Sequence, residues 1–264
     1  MSKVQELQHK LVDSQNYSKI SKQIERFISD YVSKSSAKGL VIGLSGGLDS
    51  SAVLKLSTNA LASQNVLGLV MPTNVTPQED IKHATELAEA LKVEYKMIDL
   101  DPIIERYEKA LPDDKRARGN LAARARMSIL YYYAFVRGYL VAGTGDKSEY
   151  YIGYFTKYGD GGADIMPIAH LYKTQVRALA RYLGIPDAII QKKSSPRLWA
   201  NHLAEEEIGM NYDVIDSILH LMIDRKVKPA EIARKVNVPR EQIDKVREMV
   251  EKSAHKRIMA KSVL

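Results

Sequence analysis

The sequence predicts an α/β fold, a parallel sheet flanked by helices, with helical extensions at its N- and C-terminal ends. Three observations carry that prediction. The apolar run Leu40-Val41-Ile42-Gly43-Leu44 empties into Ser45-Gly46-Gly47 and then a helical pattern; strands alternate with helices of crossover length; and 264 residues can bury one large α/β core.

Residues 3–34 place Val4, Leu7, Leu11, Ile20, Ile24, Ile28 and Val32 at mostly helical spacing, which predicts one or two amphipathic helices before the first strand. Gly39 and Leu40 open that strand. Ser50 to Ala62 reads as a helix, Val66 to Met71 as a short buried strand, and Pro77 to Leu91 as a helix with Pro77 in its first turn. Val93 to Leu100 is a third strand, and Asp101 to Ala110 is helical until Pro112-Asp113-Asp114 breaks it. Leu121 to Val136 forms a stronger helix that leads into the strand Tyr139 to Ala142. The glycine-rich stretch from Gly143 to Gly162 has little apolar periodicity and reads as a functional loop. Tyr172 to Leu183 is helical and stops at Gly184-Ile185-Pro186; Lys192 to Glu206 reads as irregular. Helices follow at Tyr212–Ile223, Pro229–Val236 and Pro239–Lys252, then a basic tail, Ser253-Ala254-His255-Lys256-Arg257. The chain is thus one domain: helices at 1–35, a core at 36–192, a mobile loop at 193–210, and helices with a tail at 211–264.

Composition narrows the function. There is no 18-residue apolar run and no signal-peptide pattern, so the expectation is a soluble, cytoplasmic protein with no membrane partner. The absence of cysteine removes disulfides, zinc-thiolate sites and any cysteine nucleophile. With 39 Lys+Arg against 32 Asp+Glu the formal charge is +7, which favours anionic partners, but no long basic block singles out nucleic acid.

The strand–turn–helix at Ser45-Gly46-Gly47-Leu48-Asp49-Ser50 presents backbone N–H groups and a positive helix end to an anion, which fits a nucleoside triphosphate. Adjacent glycines with no lysine before Lys55 exclude a Walker A loop, and GxGxxG is missing too. Asp49 beside phosphates suits a hard cation. The loop resembles the PP-loop, SGGxDS, of enzymes that cleave ATP to AMP and pyrophosphate. Three further blocks follow in order: Gly119-Asn120-Leu121-Ala122-Ala123-Arg124-Ala125-Arg126-Met127, Gly143-Thr144-Gly145-Asp146-Lys147-Ser148-Glu149, and Phe155-Thr156-Lys157-Tyr158-Gly159-Asp160-Gly161-Gly162-Ala163-Asp164. Together they resemble the NAD synthetases over about residues 39–192, with further pieces at Leu198-Trp199, Glu207-Ile208-Gly209 and His255-Lys256-Arg257.

The resemblance implies a Rossmann-like fold of the PP-loop adenine nucleotide hydrolase type. It also implies ATP-dependent amidation of deamido-NAD by ammonia, with AMP and pyrophosphate released, in a homodimer whose dinucleotide site lies near the subunit interface. ATP would meet Gly43, Leu44, Ser45, Gly46, Gly47, Leu48, Asp49 and Ser50, with Thr144, Lys173 and Ser195; Asp49 and Lys173 would be catalytic. Mg²⁺ would sit on Asp49 and Glu149, and deamido-NAD on Arg124, Lys157, Asp164, His255 and Lys256, leaving Arg126 structural. With no cysteine and no room for a fused glutaminase domain, the nitrogen source would be ammonia.

Residues 193–204 depart from the family pattern: Ser194-Ser195-Pro196-Arg197-Leu198 stands where Pro-Ser/Thr-Ala usually precedes the leucine, and His202-Leu203-Ala204-Glu205 replaces Gln-x-Asp-Glu. Asp146 stands where Asn is frequent. His9, His83, His170, His202 and His220 show no metal spacing, Tyr131-Tyr132-Tyr133 reads as packing against the sheet or a second subunit, and Asp99 and Asp101 need no catalytic role. Two rivals remain. Other PP-loop enzymes, such as tRNA-modifying ligases, share residues 45–50, and residues 229–250 imitate a helix-turn-helix.

Overall fold

The computed structural model describes residues 1–199, 202–260 and 262. Strands β1 (Leu40–Gly43), β2 (Val66–Val70), β3 (Glu94–Met97) and β4 (Leu140–Ala142) form one parallel sheet in the order β3-β2-β1-β4. Leu40 lies opposite both Val66 and Leu140, and Leu67 opposite Glu94. The first helices in chain order are α1 (Lys3–Gln8), α2 (Tyr17–Lys34), α3 (Leu48–Leu61), α4 (Gln78–Ala90), α5 (Asp101–Glu108), α6 (Lys115–Arg137) and α7 (Lys147–Ile152). They are followed by α8 (Lys173–Tyr182), α9 (Asp187–Ile190), α10 (Ala204–Ile208), α11 (Tyr212–Leu219), α12 (Pro229–Val236) and α13 (Arg240–Lys252).

Both faces of the sheet are covered, as parallel sheets require. Alternation along β1 sends Leu40 and Ile42 into a core with Ile28 of α2, Leu56 of α3, Leu87 of α4 and Leu179 of α8. Val41 turns the other way, into a core with Leu67, Leu69 and Val141 and with Ile104 of α5 and Ala122 and Ala134 of α6. Each fully buried Leu or Ile contributes about 1.5–3 kcal/mol of burial free energy, so a one-residue slip of β1 is strongly disfavoured.

A third core explains the C-terminal helices. Ile152, Tyr172, Ile208, Tyr212, Ile215, Ile218, Ile232, Val236, Ile243 and Val246 pack together, so α10–α13 are fastened to α7 and the start of α8. The apolar residues of the helix-turn-helix look-alike are therefore core residues, with Asn237 in the left-handed conformation at φ 52° between α12 and α13. No helix among the described residues is long and apolar enough to cross a membrane.

Several boundaries differ from those read in the sequence. Helix α3 begins at Leu48, not Ser50, which puts Asp49 in its first turn. Helix α6 begins at Lys115 because Asp114 caps it, accepting from Ala117 N at 2.7 Å, so the acidic breaker is also a helix start. Strand β3 keeps only Glu94–Met97, with Glu94 and Met97 exposed at the sheet edge. The glycine-rich stretch contains α7, and the irregular stretch gives way to α10 at Ala204; Ala200 and Asn201 lie outside the described residues. Helix α11 ends at Leu219 and continues as a π-helical turn over His220–Asp224. Tyr131 and Tyr133 pack against the sheet, while Tyr132 faces out; Asp99 merely accepts from Asp101 N at 3.0 Å.

Candidate active site

The carboxyl ends of β1, β2 and β4 open into a cavity of about 520 Å³, the size range of a small-molecule site. Its floor is the loop between β1 and α3. Leu44 N donates to Leu69 O at 2.8 Å, fixing the loop to β2. Ser45 Oγ and Ser50 Oγ are 3.0 Å apart, and Gly47 N donates to Ser45 Oγ at 3.3 Å. Only glycine fits at position 46: φ is +67°, and a Cβ would lie 1.9 Å from the Asp80 carbonyl oxygen. No side chain caps α3, whose N-cap is Gly47, so its first N–H groups remain for an anion.

Behind the cavity-lining Asp49 and Glu149, Lys173 Nζ sits 2.8 Å from each of Asp49 Oδ2, Asp146 Oδ2 and Glu149 Oε1. Burial works against the charge on this fully enclosed lysine, but the three carboxylates outweigh it and raise its pKa well above the ordinary value. The same burial raises the pKa of Asp146 and pushes that of Glu149 up to about 8. Asp146 also caps α7: its Oδ1 accepts from Glu149 N at 2.8 Å, and a second carboxylate, Asp216, takes Ser148 Oγ at 2.5 Å and Thr174 N at 2.9 Å. A chain of caps thus aims α7 and α8 at Asp49.

Three carboxyl groups converge on one ammonium, so a further cation is needed to hold all three ionised, and Asp49 Oδ1 is buried without a hydrogen-bond partner. Asp49 and Glu149 line the cavity, whereas Asp146 does not. That donor set fits a hard divalent cation that completes its shell with water and phosphate oxygens. Among the described residues no group of three or more acidic or histidine side chains is arranged to hold a metal alone.

The cavity wall also includes the Phe155–Gly162 turn, fastened by Thr156 N to Asp160 Oδ1 at 2.8 Å and Thr156 Oγ1 to Asn120 Oδ1 at 2.7 Å. Burial raises the pKa of Asp160. The basic tail is docked here. Lys256 Nζ donates to Gly153 O and Phe155 O at 2.7 Å each, and Lys157 Nζ to His255 O at 2.7 Å. Gly153, at φ +72°, admits the tail because any Cβ would lie 2.0 Å from Ser253 Cβ.

The sequence model of the NAD synthase family matches residues 20–260. The chain belongs to that family. A relative from Hyperthermus butylicus, described as an NH₃-dependent NAD⁺ synthetase, is 51% identical over 245 residues, covering 92% of this chain and 89% of the relative. The structure of an NH₃-dependent NAD synthetase from Campylobacter jejuni matches with TM-score 0.82 at 32% identity, over 95% of this chain and 100% of that one. The structure of an NMN synthetase from Francisella tularensis matches with TM-score 0.85, also at 32% identity, over 95% of this chain and 99% of the other.

Against the family pattern, the structure sorts the sequence-predicted residues into two groups. Gly43, Leu44, Ser45, Gly47, Leu48, Asp49, Ser50, Thr144, Glu149, Ser195 and Lys256 line the cavity; Gly46, Lys173, Arg124, Lys157, Asp164 and His255 do not. Lys173, expected to meet ATP, is fully buried outside the cavity lining, its ammonium held by the three carboxylates. Arg124 is exposed, with Nε 3.3 Å from Lys157 O, while Arg126 lines the cavity and donates to Met71 O at 3.0 Å, its pKa lowered by burial. Asp164 Oδ2 accepts from Val141 N at 2.7 Å and so anchors β4.

Some cavity residues escaped the sequence reading. His202, read there as an ordinary histidine, stacks on Trp199 at 3.6 Å between centroids, and its Nε2 lies 2.6 Å from Glu207 Oε2. Tyr154 OH donates to that oxygen at 2.8 Å. Ser195 Oγ, the expected ATP contact, donates to His202 O and accepts from Arg197 N at 3.2 Å. Asp146 had a sequence signal: Asp-x-x-Glu is a capping box.

Proposed function

We propose that this chain amidates deamido-NAD with ammonia, consuming ATP and releasing AMP and pyrophosphate through an acyl-adenylate, the last step in making NAD. The observation that carries the reading is a cavity lined both by the PP-loop with Asp49 and Glu149, which Lys173 holds, and by the Phe155–Gly162 turn. A carboxylate resists ammonia because its oxygen is a poor leaving group; transfer of AMP makes that oxygen leave readily.

The chain's own groups supply position and charge. The uncapped N-terminus of α3 and the Ser45–Ser50 turn hold the phosphates, and Thr144 stands at the carboxyl end of β4, where a nucleotide enters. Mg²⁺ on Asp49 and Glu149 would offset the charge of the phosphates. With its ammonium engaged there, Lys173 orients those two carboxylates. Thr156 and Gly159 of the turn are buried and Tyr154 is half-buried against the cavity, and this wall limits the water that would otherwise hydrolyse the adenylate. Ammonia, free or delivered by a separate partner, is the nucleophile, since this chain has no cysteine to release it from glutamine.

The acceptor contacts, Arg124, Lys157, Asp164, His255 and Lys256, are assigned to deamido-NAD, and we place the protein in the cytoplasm as a homodimer. Tyr132, Phe135 and Val136 on α6 are 68%, 89% and 62% exposed, an apolar strip on the same helix as Arg124 that supports burial against a second copy. Incubation with ATP, Mg²⁺, deamido-NAD and ammonium is expected to yield NAD, AMP and pyrophosphate in equal amounts. ADP and phosphate would overturn the mechanism, and preferential use of nicotinic acid mononucleotide would move the reading to the NMN synthetases.

A further inference from the structure

We infer that Lys192 and Arg197 bind the pyrophosphate half of ATP, and that Asp80 holds both cations beside the PP-loop until the phosphates displace it. The inference rests on the reading of ATP cleavage between its α and β phosphates. Asp80, in the first turn of α4, is 3% exposed. Its carboxylate takes Arg197 Nε at 2.8 Å and Arg197 Nη2 at 3.4 Å, and Lys192 Nζ on Oδ1. Lys192 Nζ also donates to Gly46 O at 3.2 Å, so the ammonium touches the PP-loop itself. The Asp80 backbone closes the other side of Gly46. Asp80, Lys192 and Arg197 all line the cavity.

Two cations on one carboxylate leave a surplus positive charge at Gly46, while three carboxyl groups around the single Lys173 ammonium leave room for a further cation at Asp49. A triphosphate and a divalent cation complement that pair of sites. Arg197 also has φ 50°, a conformation that a non-glycine residue keeps only when its surroundings hold it. It lies in the stretch that departs from the family pattern, which is why the motif comparison gave it no role.

The chemistry gives the cations a purpose. As a carboxylate oxygen of the acceptor bonds to the α phosphorus, the bond from that phosphorus to the bridging oxygen breaks and its electron pair passes to the departing pyrophosphate. Negative charge grows on the β phosphate, where a bidentate guanidinium and an ammonium act most strongly. Pyrophosphate carries more charge and more acceptor oxygens than Asp80, so it wins the exchange.

The test compares inorganic pyrophosphate with AMP as ligands of the full chain at fixed Mg²⁺, by calorimetry and by product inhibition. Arg197→Ala should weaken pyrophosphate roughly tenfold or more and leave AMP within about twofold, because one charge-assisted contact is lost at the phosphates only. Arg197→Lys should recover part of the loss. Asp80→Asn should tighten pyrophosphate, since the competing anion is gone. Equal weakening of both ligands in Arg197→Ala, unchanged pyrophosphate affinity, or weaker pyrophosphate in Asp80→Asn would overturn the inference. Should the wild-type chain form no NAD, the amidation reading fails by itself, and the pyrophosphate titrations still decide this one.

Discussion

At the proposed triphosphate site each group is held by another buried group of the same chain: Asp49 and Glu149 by Lys173, α7 by Asp146, and Ser148 and Thr174 by Asp216. Of the residues proposed for the acceptor, Arg124, Lys157, Asp164 and His255 lie outside the cavity lining and Lys256 belongs to it. The contrast supports a division in which one chain carries the proposed ATP-splitting groups, whereas the proposed dinucleotide contacts are completed by a second chain that brings its own α6.

The largest expected effect breaks the triphosphate end. Asp49→Asn should lower turnover at saturating Mg²⁺ by at least about a thousandfold, since it removes a metal oxygen and a partner of the buried Lys173. Near-normal pyrophosphate release would remove the metal role. A milder and more selective change is expected at the acceptor end. Lys256→Met releases the tail from Gly153 O and Phe155 O, so the KM for deamido-NAD should rise about tenfold with the KM for ATP unchanged. Parallel changes in both constants would mean that the tail merely stabilises the fold.

The smallest effect concerns Asp216, which belongs to the scaffold. Burial pushes its pKa up to about 7. The folded state therefore holds a proton that the unfolded state has lost between about pH 4 and about pH 7, and stability falls as pH rises through that window. In Asp216→Asn the fall in Tm should be shallower, with the remaining slope due to Asp146, Glu149 and Asp160, whose pKa values are also raised by burial. An identical slope in both proteins would remove Asp216 from the account.

The same division separates what was legible in the sequence from what was not. Strand β1 and the PP-loop follow from an apolar run and its glycine turn, the pairing of Asp49 with Glu149 was implied by the family resemblance, and the sheet bears out the parallel reading. Helix α7 was hidden because glycine density outweighed a six-residue helix whose only signal was its capping box. Arg124 and Arg126 lie about 200° apart around α6, and which face meets the cavity is set by β1, β4 and the Phe155–Gly162 turn, not by the helix itself. The grip of Asp80 on Lys192 and Arg197 joins residues more than a hundred positions apart and leaves no local pattern.

Complementation between two inactive variants tests the contrast most directly. Asp49→Asn disables the triphosphate end and Arg124→Ala the acceptor end; after subunit exchange, a heterodimer has one doubly defective site and one intact site only if each site draws Arg124 from the partner subunit. The account predicts recovery of about a quarter of wild-type NAD formation in an equimolar mixture, since half the dimers are mixed and half their sites are intact. A mixture no more active than the sum of its two parts would show that one chain carries both ends, and would contradict the account.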